Sequence, residues 1–384
     1  MDRRWRGVAV VAVATALALS ASACSSSNSS SDGGSGTYKI GVLNALTGDL
    51  GAVGQQEAQG MELAVKQLNA AGGVNGHQLA LTTVDDQGSV NLSTAGFKKL
   101  ATSDKVAVIV GPGISATAKA VAPLADQYKV AQMLLIAQPT VANGTRNVFE
   151  APPPGKSNSE AMVKYAAQSG AKTAALIWAD NAYGQEGLSD ISAAVKTSGM
   201  TLVGNESWDP AKFDFTAQAG KVANENPDVV FLYGAGGTSD ALLLKAVRAG
   251  GYKGKVVGDL SYAGSTIPKA AGPAGDTVVA LTALGYSQPT AAEKAFITAF
   301  TTAYGSIPTV LSAYAYVGVK MVAAAIQKAG AYDGDKIATA LQGLNYDGGL
   351  IGTYAYTSDY HGGPGASAFK PVSFKGSDYA APVF

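Results

Sequence analysis

With a single cysteine among 384 residues, the chain cannot close an internal disulfide, so no part of its fold rests on covalent cross-links. Histidine is almost as scarce. His77 lies in the turn-like string Asn75-Gly76-His77 and His361 opens the glycine-rich His361-Gly362-Gly363-Pro364. Neither has metal-ligand spacing to another histidine or to the cysteine, and both are expected at the surface. G-x-S-x-G, Walker A and H-E-x-x-H strings are all missing, which removes the commonest hydrolase, nucleotide-triphosphatase and zinc-protease readings. Without Arg3, Arg4, Arg6 and Asp2, the 28 basic and 28 acidic residues fall to 25 and 27, a net of about −2, and nothing calls for nucleic acid. The longest conspicuous apolar run, residues 7–19, is shorter than the roughly 17–25 a spanning helix needs. Later apolar stretches are broken by Gly, Lys or Asp, as buried strands and core helices are.

What is present begins with Arg3, Arg4 and Arg6 ahead of that apolar run, then small residues, then Cys24. This is the layout of a secretory signal peptide over residues 1–23. Ala21-Ser22-Ala23-Cys24 is similar to a bacterial lipobox, with Ala21 where Leu is usual. Cys24 is therefore expected to carry a lipid that anchors the protein to the outer face of the cell membrane, since an unpaired exposed thiol is otherwise a liability outside the cell. Residues 24–37 are nearly all Ser and Gly and read as a flexible tether with a reach of about 20 Å.

From Tyr38 onward, short apolar runs alternate with longer amphipathic ones, the pattern of parallel sheets covered by crossover helices. Strands are expected at 39–43, 79–84, 106–110 and 131–136, with helices at 53–71, 91–102 and 115–128 between them. The string Ala151-Pro152-Pro153-Pro154-Gly155 interrupts the alternation, because consecutive prolines fix φ and remove amide donors. It then resumes with strands at 173–178, 201–206, 229–233 and 255–258 and helices at 183–197, 215–224 and 239–250. An apolar segment at 277–284 and helices at 291–304 and 311–329 follow, ahead of an aromatic-rich tail.

The order of these elements carries recurrent local strings. Ile40-Gly41-Val42 leads to Leu46-Thr47-Gly48, and Gly60-Met61-Glu62-Leu63-Ala64-Val65 to Asn69-Ala70-Ala71-Gly72-Gly73-Val74-Asn75-Gly76. Asp85-Asp86, Val110-Gly111-Pro112, Asp180 with Tyr183-Gly184, Asn226-Pro227-Asp228-Val229-Val230 and Tyr346-Asp347-Gly348 through Gly352, Tyr356 and Gly362 complete the series. In this order they resemble the type I periplasmic binding proteins, specifically the leucine/isoleucine/valine-binding family that serves ABC importers, from about residue 39 to about residue 376. The resemblance implies an α/β fold: two doubly wound parallel-sheet lobes joined by a three-strand hinge. Its crossovers fall near 151–154, 281–285 and 347–352, giving a first lobe of 38–151 plus 285–347 and a second of 152–284 plus 348–384.

Candidate site residues follow. Gly111-Pro112-Gly113-Ile114-Ser115-Ala116-Thr117 joins a strand to a helix whose free N-terminal amides suit an anion, and Ser115 and Thr117 add hydroxyls. The resemblance places a ligand-carboxylate contact at Ser115 and groups Ala116, Thr117, Ile136 and Gln138 with it. The string also fits a relaxed G-x-G-x-x-A, but it follows the third strand and no acidic residue stands at the end of the next one, which makes it a poor dinucleotide site. In the second half, Tyr183 follows the strand ending at Trp178, where the family has a ligand-contacting tyrosine. Trp178 and Trp208 read as packing. Elsewhere the sequence departs from the amino-acid binders: Val53 and Gly236 stand where tyrosines are usual, and Asp259-Leu260 has no Glu at the ammonium partner's position.

The function expected is therefore capture, without catalysis, cofactor or metal, of a small carboxylate-bearing solute between closing lobes, for delivery to an ABC permease. The solute is left open between an organic or aromatic acid and an amino acid whose ammonium meets Asp259. The rivals are a ligand-presenting sensor and a secreted enzyme on a similar scaffold.

Overall fold

The computed structural model describes residues 36–48, 50–235, 237–264 and 266–384. The expected signal peptide, Cys24 and most of the tether lie outside the described residues, as does Gly236.

The first sheet runs in the order β2-β1-β3-β4-β5, all parallel, from β1 (Tyr38–Asn44), β2 (Leu79–Asp85), β3 (Val108–Val110), β4 (Ala131–Leu134) and β5 (Val148–Glu150). Its central strands are almost continuously buried because helices cover both faces, whereas β2 at the edge is only half buried. Between them lie α1 (Gly51–Ala70), α2 (Val90–Lys98), α3 (Ser115–Tyr128) and the short α4 (Pro139–Ala142). Strands β3 and β4 are each shorter than expected.

After β5 the prolines end the strand, and the chain enters α5 (Gly155–Gln168), which sequence periodicity did not anticipate. Pro154 caps this helix with φ −54°, so the same residues that stop the strand start the helix. The second unit then repeats the first: β6 (Thr173–Ala179), α6 (Ala182–Ser198), β7 (Thr201–Trp208), α7 (Thr216–Glu225), β8 (Val229–Tyr233), α8 (Thr238–Ala249), β9 (Lys255–Gly258), α9 (Thr266–Ala271) and β10 (Val278–Thr282). Its parallel order is β7-β6-β8-β9-β10, extended by antiparallel β13 (Lys370–Lys375) and β14 (Asp378–Ala380). Strand β7, at the edge, alternates exposed and half-buried positions.

From β10 the chain returns to the first unit as α10 (Ala291–Tyr304), α11 (Val310–Ala329) and α12 (Gly334–Gln342), then forms the ribbon β11 (Asn345–Asp347) with β12 (Thr353–Ala355). By length and composition α11 could cross a membrane, which the sequence reading had not foreseen. Its apolar face, including Val317, Met321 and Ile326, is buried in the core, which makes it a core helix. Two ties fix the crossovers. Glu293, in the capping box of α10, accepts from the Gly285 amide at 2.7 Å and from Lys370 Nζ of β13 at 2.7 Å. The Tyr354 and Tyr356 hydroxyls donate to the carbonyls of Ala151 and Glu150, each at 2.6 Å, pinning the third crossover to the first.

Between β12 and β13 the chain runs beside β5, where the Glu150 amide donates to the His361 carbonyl at 2.9 Å. There His361, expected at the surface, is buried. It stacks on Phe149 with ring centroids 4.3 Å apart, and its Nδ1 lies 2.8 Å from the Val148 carbonyl. His77 is half-buried against Tyr38, ring centroids 4.2 Å apart.

A candidate ligand cleft at two sheet edges

In both sheets the strand order reverses beside the first strand, between β1 and β3 and again between β6 and β8. Crevices at the carboxyl ends of such strands are where doubly wound sheets take ligands.

In the first lobe, Gly111 begins the loop after β3 with φ +100°, and an added Cβ would lie 2.1 Å from the Leu43 carbonyl oxygen, so only glycine passes there. Asn44 holds this loop down: its Oδ1 accepts from the Gly113 amide at 3.2 Å, and its Nδ2 donates to Glu57 Oε2 at 2.6 Å. The loop delivers the chain to α3, whose cap residue Ile114 has no side-chain acceptor. The amides of Ser115, Ala116 and Thr117 therefore have no partner among the described residues, nor has the Ser115 hydroxyl. These donors sit at the positive end of a 14-residue helix. The Thr117 side chain does not add to them. Its hydroxyl donates back to the Ile114 carbonyl at 3.0 Å and the residue is buried, a local bond its spacing always offered.

In the second lobe, Asn181 caps α6 by accepting from the Gly184 amide at 2.9 Å, placing Tyr183 in the first turn. The Tyr183 hydroxyl donates to Asp259 Oδ2 at 2.9 Å. Asp259 is fully buried and also accepts from the Gly234 amide at 3.2 Å, the Ser261 amide at 3.2 Å and the Ser261 hydroxyl at 3.1 Å. Four donors thus occupy the roughly four acceptor positions of a carboxylate. Burial, reinforced by the neighbouring Asp240, pushes this carboxyl up to about 7 despite those bonds. Burial first and then the Asp259 charge hold the Tyr183 hydroxyl well above its usual range, so it remains a donor. Tyr233, at the end of β8, packs its ring 4.7 Å from that of Tyr183.

The lobes meet at the start of α5. The Gly155 amide donates to the Ala137 carbonyl at 2.8 Å, and the Cβ position of Gly155 lies 3.3 Å from the Tyr233 hydroxyl and 4.0 Å from the Tyr183 ring. Gln138 follows Ala137, with its amide donating to Glu150 Oε1 at 3.2 Å. On the rim, Lys119 of α3 pairs with Glu186 of α6 at 3.4 Å, across the cleft. The remaining sequence candidates are less central. Val53 and Leu260 are half-buried, Ala116 is exposed, and Ile136 is buried among Leu134, Ala142 and Val148 as packing. Sequence reasoning missed Glu150, Gly155, Tyr233 and the Lys119–Glu186 pair.

A cavity of about 900 Å³ lies at the opposite, amino-terminal end of the second sheet, lined by Asp228, Arg248, Lys255 and Thr277 among others. Arg248 in its wall is already committed, with bonds to Thr277 Oγ1 at 2.8 Å and the Gly254 carbonyl at 2.8 Å. It is at the wrong end of the strands for the site above. No group of three or more metal-ligating side chains is found among the described residues.

A family model described as a periplasmic binding protein matches residues 37–376. The leucine-, isoleucine-, valine-, threonine- and alanine-binding protein of Pseudomonas aeruginosa is 26% identical over 319 residues, covering 81% of this chain and 83% of its own. Among solved structures, the branched-chain amino acid transporter substrate binding protein LivJ of Streptococcus pneumoniae, in complex with isoleucine, aligns with a TM-score of 0.81 at 22% identity, covering 90% of this chain and 98% of that one. A solute binding protein of an ABC transporter from Rhodopseudomonas palustris, in complex with 3,4-dihydroxybenzoic acid, aligns at 0.78 and 23%, covering 90% and 95%. At these identities the two structures establish the fold.

Proposed function

This chain belongs to the periplasmic binding protein family, and from that premise we propose that it is the extracytoplasmic solute-binding component of an ABC importer, tethered to the outer face of the membrane through a lipid on Cys24. It captures a small carboxylate between its lobes, presents the closed form to a permease and does no chemistry on the solute.

The observation that carries the reading is the set of partnerless donors at the start of α3, the Ser115 hydroxyl with the amides of Ser115, Ala116 and Thr117, on the helix that Lys119 ties to Glu186 of α6, the helix that carries Tyr183. A carboxylate satisfies those donors and the helix dipole together. Relatives of the same fold bind isoleucine in one case and 3,4-dihydroxybenzoic acid in another, so the fold leaves the solute open. Here Asp259 favours an acid without an α-ammonium. Its acceptor positions are filled by Tyr183, Ser261 and Gly234, and a buried ammonium lacking a carboxylate partner costs several kcal/mol. A sensor would use the same cleft, and permease and ATPase genes beside this one decide for transport.

A thermal-shift screen of amino acids, organic acids and aromatic acids tests the reading. A ligand at 100 times its Kd adds about 2.7 kcal/mol of stability. Hits among the amine-free acids, each recovered chemically unchanged, support it; conversion of a hit into product overturns the binder reading.

A further inference from the structure

Three buried polar atoms without a hydrogen-bond partner lie on two neighbouring side chains at the carboxyl edge of the first sheet: Gln138 Oε1, Gln138 Nε2 and Glu150 Oε2. Gln138 is 2% exposed and Glu150 fully buried. Both are held in place from behind. Glu150 Oε1 accepts from the Gln138 amide, the Glu150 amide donates to the His361 carbonyl at 2.9 Å, and its carbonyl receives the Tyr356 hydroxyl. Gln138 adjoins Ala137, whose carbonyl binds Gly155 where that residue meets Tyr183 and Tyr233. The two orphaned side chains therefore belong to the floor over which the lobes close.

Buried polar atoms are normally paired, and leaving them unpaired is costly, so such a group implies a missing partner. Its chemistry follows from the donor and acceptor inventory. Burial holds the Glu150 carboxyl well above the usual carboxylate range, against the opposing Gln138 amide bond, and the Glu186 charge across the cleft adds to the effect. A protonated Glu150 supplies a donor, Gln138 Nε2 a second donor and Gln138 Oε1 an acceptor. An ammonium, with donors only, leaves both donors unmet. A second carboxylate, with acceptors only, leaves Gln138 Oε1 unmet. A hydroxyl both gives and accepts hydrogen bonds, so it can accept from the Glu150 proton and give its own to Gln138 Oε1, a pairing that neither an ammonium nor a carboxylate makes.

We infer that Gln138 and Glu150 form a hydroxyl-reading subsite, so that the solute is a hydroxylated carboxylate. This rests on the carboxylate capture proposed above, with the acid at Ser115 and the hydroxyl on the cleft floor.

The test is titration calorimetry of the full chain with pairs of acids differing by one hydroxyl: benzoate with meta- and para-hydroxybenzoate, and propanoate with lactate. Leucine is run alongside. In the wild type, one hydroxy acid binds at least about tenfold more tightly than its parent. That ratio falls to near one in Gln138→Leu and in Glu150→Leu, with circular dichroism and melting confirming that each variant is folded. Equal binding of parent and hydroxy acid overturns the subsite while leaving the carboxylate reading intact. A ratio that survives in both folded variants also overturns it. Binding of leucine with every amine-free acid silent overturns the amine-free reading and the subsite together, and failure of every hydroxy acid to bind overturns the subsite.

Discussion

Glu57 is the buried acid whose removal has the most calculable consequence. It lies on α1, 1% exposed, beneath the loop that carries Gly113 toward the open end of α3. Asn44 joins the two, with its amide nitrogen on Glu57 Oε2 and its oxygen on the Gly113 amide. Burial pushes the Glu57 carboxyl from 4.5 up to about 8, the Asn44 bond opposing and the charge of Asp86, from the loop after β2, adding. An acid whose pKa is raised by folding is protonated in the native state while the unfolded chain has already released its proton. Stability is therefore highest below 4.5 and falls as pH climbs toward about 8, then levels off. At about 1.4 kcal/mol per pH unit across that window, the loss is at most on the order of 5 kcal/mol. Glu57→Gln keeps an acceptor for Asn44 and removes the titration. Urea unfolding of both proteins from pH 5 to pH 9 should show similar stability at the acid end and a growing advantage for the variant up to about pH 8. Asp259, pushed from 3.8 up to about 7 by burial first, leaves a residual slope in both. A stability difference between the proteins that stays constant with pH would refute the reasoning.

Other perturbations address the remaining parts. Cys24→Ser should move the protein from the membrane fraction to the soluble one, and full retention on membranes contradicts the anchor. Ser115→Ala should weaken carboxylate binding by roughly tenfold or more in calorimetry, since it removes a donor to a charged group, with melting of the ligand-free protein changed little. Lys119→Glu sets two acids against each other at the rim of the cleft. The solute should dissociate a few-fold faster at low salt, and the effect should shrink toward 1 M salt, where charges are screened beyond about 3 Å.

Helix α3 was legible to the residue, because a strand, a Gly-Pro-Gly turn and an unbroken amphipathic run mark its limits. Strands β8 and β9 were equally plain as short apolar runs bounded by turn residues. Helix α5 was missed because Pro152 to Pro154 read only as a stop, although a proline at a helix entrance also presets the helical φ. The pieces β11 to β14 are three to six residues long, too short for a period to show. Within the candidate site, sequence alone could point to Tyr183 and Ser115 only by their places after strands, and the structure sets each in the first turn of its helix. The direction of the Thr117 hydroxyl, onto the Ile114 carbonyl of its own helix, could not be read, because sequence does not show which way a side chain in a first turn points. Glu150 gave no signal at all: an acid before three prolines looks like a surface residue until the crossovers bury it. His361 misled for the same reason, its glycine-rich neighbours suggesting a loop in solvent where Phe149 in fact covers the ring.

The central claim is that the cleft recognises a carboxylate at α3 and offers no free acid at Asp259 to an α-ammonium. Titration calorimetry of the full chain with leucine and with 4-methylpentanoate, the same skeleton without its amine, measures this directly. The account predicts that the amine-free acid binds at least as tightly as leucine. Leucine binding at micromolar Kd or better, about −8 kcal/mol, with 4-methylpentanoate silent, would contradict it.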